Sequence, residues 1–176
     1  MTFRTGAIVG ALVCALLLAF GYYLQYARGL EPCPLCLVQR GFFYAVLAVF
    51  LVGALHGPAR VGASINSLLA FLFALGGAAT AARQVWLQHL PADKVPQCGP
   101  DLFFMLENFP LSHTLKRLVS GTGECAAVDW TFLGLSIAEW SLIWFVVLSA
   151  LAIFLAVREM RSSTPASGPK AVFPGG

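Results

Sequence analysis

Charge is what this sequence most lacks: Asp, Glu, Lys and Arg make up only 11% of its 176 residues, against 59% hydrophobic residues. A water-soluble domain carries about 25% charged residues. With a mean hydropathy of +0.80, lipid must supply much of this chain's solvent. The net charge of +3 is too small to suggest a nucleic-acid partner. Long polar stretches are missing as well, so one compact transmembrane domain over residues 1–161 is expected rather than an anchor with a soluble head. No small-x-small cleavage site follows the first apolar run, only Tyr22, Tyr23, Leu24, Gln25 and Tyr26. That run therefore reads as a retained signal anchor, with the tyrosines in an interfacial belt.

What is present is four apolar stretches, each near the roughly 20 residues that cross a bilayer core as a helix. They are expected at about 6–26, 35–55, 61–82 and 138–157; the first and third hold no charge, and the second holds a single one, Arg40, near its start. The third carries Gly76, Gly77, Ala78 and Ala79, small residues that permit close helix packing. The fold class is thus an all-α membrane protein, a four-transmembrane-helix bundle. Its connections are a short one at 27–34, a tight turn from His56 to Arg60, and a long one at 84–137. Within the long connection, Leu102 to Leu118 mixes Phe103, Phe104, Met105, Leu106 and Phe109 with Lys116 and Arg117, a pattern for a short helix lying on the membrane surface. The Ser-, Thr-, Pro- and Gly-rich tail at 162–176 reads as disordered.

With four spans, the first and third connections share one side of the membrane, opposite both termini. Four of the five cysteines therefore lie in one compartment: Cys33 and Cys36 in the first connection, Cys98 and Cys125 in the long one, with Cys14 inside the first span. Basic residues are divided almost evenly between the two sides, so the positive-inside rule does not orient the chain. Paired cysteines favour an oxidising compartment outside the cytosol.

The chemistry centres on Glu31-Pro32-Cys33-Pro34-Leu35-Cys36, a C-x-x-C at the start of the second helix. Proline is tolerated there because early helical amides lack partners. A helix N-terminus stabilises a thiolate, and two sulfurs at this spacing can cycle between dithiol and disulfide. Two plainer readings stand beside this one. A zinc site could use all four cysteines, although zinc ribbons bring a second closely spaced pair, whereas Cys98 and Cys125 are far apart. Two structural disulfides are the other, although a C-x-x-C bridge closes too small a loop to be a useful staple. Arg40 stands one helical turn beyond Cys36 on the same face, either snorkelling to the interface or serving as a cation beside a thiolate and an electron-accepting ring. No metal or flavin motif is present.

The chain resembles the disulfide bond formation protein B family, four-helix quinone reductases of bacterial inner membranes. The resemblance covers nearly the whole sequence. It rests on Pro32-Cys33-Pro34-Leu35-Cys36 followed by Gln39-Arg40, and on Gly123-Glu124-Cys125 followed by Trp130-Thr131-Phe132-Leu133-Gly134-Leu135-Ser136 and Trp140. It implies a membrane thiol:quinone oxidoreductase that reoxidises a periplasmic thioredoxin-fold thiol oxidase, DsbA-like, and passes electrons to ubiquinone or menaquinone. Cys98 would take the partner's attack, and Cys125, released from Cys98, would attack the Cys33–Cys36 bridge. Cys36 would be nearest the quinone. Arg40 matches the family's quinone-site arginine, and His89 a histidine near the same site. The resemblance also implies a monomer in the inner membrane, with cytoplasmic termini and periplasmic cysteine loops. The rivals are a vitamin K epoxide reductase-like enzyme, in which the C-x-x-C follows the loop pair along the chain, and a non-catalytic tetraspan scaffold with structural disulfides.

Overall fold

The computed structural model describes residues 2–57, 60–95, 110, 121 and 123–161. Among them are four helices long and apolar enough to cross a membrane: α1 (Phe3–Arg28), α2 (Pro34–His56), α3 (Arg60–Gln88) and α4 (Ile137–Arg161). Local chemistry sets their ends. The Thr2 hydroxyl caps α1 by accepting from the Thr5 amide at 3.3 Å. Gly29, with φ +66°, ends α1 in the left-handed conformation that glycine adopts without steric cost. Ser136 and Glu139 form a reciprocal capping box on α4, the Ser136 amide donating to Glu139 Oε2 at 2.7 Å and the Glu139 amide donating to Ser136 Oγ at 3.3 Å.

The apolar residues divide by helical spacing into an inner and an outer set. Phe3, Ala7, Ala11, Cys14 and Leu18 recur every three or four residues on α1 and are buried, facing Phe43, Val46 and Phe50 of α2 and Phe145, Leu148, Ala152 and Leu155 of α4. Leu12, Leu16, Leu55, Leu68, Leu72 and Phe154 point outward, as lipid-facing residues must. Alanines Ala63, Ala70, Ala74 and Ala81 line the inner face of α3. This lets α3 pack closely along both α2 and α4, while α1 leans mainly on α2 and touches α4 much less. The Gly76-Gly77 pair serves packing within the chain: a Cβ on Gly77 would stand 2.2 Å from the Phe145 ring, and one on Gly76 2.6 Å from Phe42.

The helices outrun the apolar stretches. The apolar run ends at residue 82, but α3 continues to Gln88, where Gln84 meets Gln39 and Gln88 meets Ser136 of neighbouring elements. Arg83 lies over the Trp86 ring, 4.3 Å from its centroid. Beyond α3 come short 3-10 turns at Ala92–Lys94 and Gly123–Ala126, then a two-stranded hairpin, β1 (Thr131–Phe132) with β2 (Leu135–Ser136). Its register pairs Thr131 with Ser136 and Phe132 with Leu135. Leu133 and Gly134, with φ of +54° and +80°, form the tight turn. Cys98, the expected surface helix at 102–118 and the tail at 162–176 lie outside the described residues.

Candidate active site

Cys33 is the N-cap of α2, its Sγ accepting from the Cys36 amide at 3.4 Å, with Pro34 in the first helical turn. This geometry brings the two sulfurs to 2.9 Å as free thiols. The first amides of a helix thus point at the reactive pair, an arrangement that favours negative charge on sulfur.

A third sulfur joins them. The 3-10 turn at Gly123–Ala126 lays Cys125, fully buried, against Leu35 and Leu87, with Cys33 in the same cluster. Gly121 opens this approach: its φ is +77°, and a Cβ there would meet Leu87 at 2.4 Å. The Cys33 thiol is held well above the ordinary cysteine range, first by its hydrogen bond with Cys125, then by that with Cys36, and by burial.

Beside the thiols is a cavity of about 950 Å³ among the four helices. Its walls include Leu17, Gly21, Cys36, Arg40, Gln84, Trp140 and Trp144, and Phe43, stacked on Phe145 with centroids 4.0 Å apart, closes its floor. An aromatic relay from Phe20 through Trp130 and Phe132 to Trp140 spans from α1 to α4, with contacts of 5.8, 6.1 and 6.1 Å. The Trp140 indole N–H donates to the Phe132 carbonyl at 3.1 Å, tying the hairpin to α4. Cavities of this size, largely apolar with a few convergent polar groups, suit a small molecule.

Residues 3–155 match the family model described as disulfide bond formation protein DsbB. The chain is 53% identical over 150 residues to a disulfide bond formation protein B of Methylococcus capsulatus, covering 85% of this chain and 92% of that one. It is 50% identical over 161 residues to the protein of that name from Hahella chejuensis, covering 92% and 98% of the two chains. For Xanthomonas euvesicatoria the identity is 44% over 163 residues, covering 92% and 95%. The chain belongs to the disulfide bond formation protein B family.

Three of the four cysteines expected at a family site, Cys33, Cys36 and Cys125, come together here, while Cys98 lies outside the described residues. Arg40 lines the same cavity, but its guanidinium is engaged away from the thiols. It donates to Gln25 Oε1 at 2.6 Å and to the Gly21 carbonyl at 3.0 Å, and it lies 4.7 Å from the centroid of the Tyr22 ring. A cation in the seam of α1 and α2 is thereby held in place without a carboxylate. His89 stands one residue past α3, its Nδ1 2.8 Å from the Val85 carbonyl oxygen. It faces a smaller polar recess shared with Gln88, Ser136 and Glu139 rather than the large cavity. Gln88 lines both, accepting from the Ser136 hydroxyl at 2.8 Å.

Two site residues escaped the sequence reading. Gln84, placed there in the long connection, is on α3, 3% exposed, with its Nε2 3.4 Å from each of Cys33 Sγ and Cys36 Sγ. Gln39, given no role there, is 3% exposed and donates to Gln84 Oε1 at 2.7 Å. The available signal was their spacing: Gln84 and Gln88 are four apart, one face of a continuing helix.

Proposed function

We propose that this protein is a membrane thiol:quinone oxidoreductase that reoxidises a soluble thioredoxin-fold dithiol oxidase and supports disulfide bond formation. The observation that carries the reading is the meeting of Cys125 with Cys33 and Cys36, the latter two at the wall of a cavity among membrane-spanning helices. Family membership supports it, since the relatives are named for disulfide bond formation.

The cavity fits a quinone. Its Trp140 and Trp144 walls offer flat faces to a ring, and Arg40 at the same wall has guanidinium N–H groups beyond those bound to Gln25 and Gly21 for a ring oxygen. When bound, a quinone supplies a sink for two electrons and two protons. The chain's own residues do the rest. The partner's thiolate opens a Cys98–Cys125 bridge by forming a mixed disulfide on Cys98, and Cys125 is released as a thiolate. Cys125, already beside Cys33, attacks its sulfur and breaks the Cys33–Cys36 bond, leaving the electron pair on Cys36 at the cavity wall. In this reading the cysteine end faces the periplasm and both termini face the cytoplasm of a bacterial inner membrane, because paired cysteines need an oxidising compartment.

The test is reduction of a soluble quinone analogue by the detergent-purified protein, supplied with a reduced thioredoxin-fold partner. Wild type turns over, Cys36→Ser and Cys98→Ser do not, and Arg40→Ala raises the quinone KM about tenfold, the cost of losing a hydrogen bond from a charged donor. A wild type that reduces no quinone, or a Cys36→Ser variant with full activity, would favour a scaffold with structural disulfides.

A further inference from the structure

The thiol pair has a dedicated amide. Gln84 Nε2 stands 3.4 Å from both Cys33 Sγ and Cys36 Sγ, and both Gln84 and Gln39 are 3% exposed in a stretch of helix surrounded by apolar side chains. A buried amide without partners costs about 1–3 kcal/mol, so its position calls for a reason. Gln39 supplies half of it: its Nε2–H occupies Gln84 Oε1 at 2.7 Å, which turns the Gln84 NH₂ toward the sulfurs. Gln84 Oε1 is also 3.7 Å from Cys36 Sγ, so the same amide accepts from Cys36 as a thiol and donates to it as a thiolate. The guanidinium of Arg40, by contrast, is committed to Gln25 and the Gly21 carbonyl.

We propose that Gln84 is a catalytic residue, an amide donor that stabilises the Cys36 thiolate at the moment the Cys33–Cys36 bond breaks, with Gln39 as the positioning residue that aims it. This rests on the thiol-oxidoreductase reading above. In the step concerned, the Cys125 thiolate forms a bond to Cys33 Sγ, the Cys33–Cys36 bond breaks, and its electron pair remains on Cys36 Sγ. One disulfide replaces another and no outside oxidant is consumed. The charge moves from Cys125, packed against Leu35 and Leu87, to Cys36, where the Gln84 N–H and the α2 N-terminus meet it. The amide thereby draws the exchange forward toward the cavity. A neutral donor suits a site that must also release the electrons, because a fixed cation at the same distance would hold the thiolate more tightly.

The test measures the Cys36 thiolate directly, without quinone or partner. The full-length protein in detergent, reduced and carrying Cys33→Ala, receives a pulse of iodoacetamide at neutral pH, and mass spectrometry reads each cysteine. A hydrogen bond to a charged group is worth enough to change the thiolate fraction about tenfold. Part of that change is offset by the greater nucleophilicity of a more basic sulfur, so Gln84→Met is expected to slow Cys36 alkylation about fourfold. Gln84→Asn, whose amide is drawn back by one methylene, gives an intermediate rate, and Gln39→Met a smaller loss. Cys14, fully buried among the helices, stays unlabelled wherever the fold is intact. Wild-type rates at Cys36 in both Gln84→Met and Gln84→Asn, with Cys14 protected, overturn the proposal. If Gln84→Met exposes Cys14, Gln84→Asn alone decides between slowed and unchanged labelling. Failure of the wild type to reduce quinone would overturn the functional reading, and the alkylation rates would still judge the donor role of Gln84.

Discussion

At the end of the bundle that carries the chain termini, glycines let the helices close on one another: a Cβ on Gly6 would stand 2.5 Å from Leu155, and one on Gly10 2.7 Å from Phe50. At the cysteine end α1 and α4 carry Phe20, Trp140 and Trp144, which line the cavity together with residues of α2 and α3. Small residues thus go with the solid end of the bundle and bulky ones with its hollow end. Polarity follows the same division. The aromatic, amide and guanidinium groups of the hollow end satisfy one another, whereas the solid end is mostly apolar, with Asn66, donating to the Val49 carbonyl, and the buried Ser67 as its polar insertions.

The largest expected effect separates two cysteines of equal burial. Cys125 at the hollow end and Cys14 among the packed helices are both fully buried. Cys125→Ser should lower partner-driven quinone reduction by at least about a thousandfold, the scale of losing a nucleophile, while Cys14→Ser should leave it within about twofold. Equal losses in both would mean that Cys125 matters only for packing. Next in size is a break of the solid end. Gly10→Leu drives a side chain into Phe50 and should destabilise the protein by about 1–3 kcal/mol. It should be read as a lower thermal midpoint in detergent, with turnover per folded molecule unchanged. A fall in turnover without a change in midpoint would show that the two ends are coupled.

The smallest effect is a pH slope. The raised Cys33 thiol keeps its proton in the fold after an unfolded cysteine, at about 8.5, has lost it. The associated stability is therefore full below that value and declines as pH rises above it toward the folded value. The thermal midpoint of the fully reduced protein should fall with rising pH in this alkaline range, and Cys33→Ala should flatten the slope. An unchanged slope in the variant would assign the dependence to other groups.

Composition and run length made the four helices readable, because an apolar stretch of about 20 residues has few other fates. The C-x-x-C was readable too, since Pro34 and the first helical turn leave Cys33 little choice but to cap α2. What escaped was the last turn and a half of α3. Arg83 closes the apolar run, so Gln84 was assigned to a loop, yet burial against the thiols makes that polar turn worth keeping helical. Arg40 was legible as a site residue but not in its contacts, because Gln25 and Gly21 belong to another helix and nothing local announces them. The hairpin was hidden for a related reason: its turn uses Leu133-Gly134 rather than Asn-Gly, and its strands are two residues each.

The seal over Cys125 has one further consequence. With Leu35 and Leu87 against it and Gly121 letting them close in, a water-borne peroxide or small thiol meets hydrocarbon before it meets sulfur. The sulfur is insulated as a wire is, shielded from reductants that diffuse past in solution.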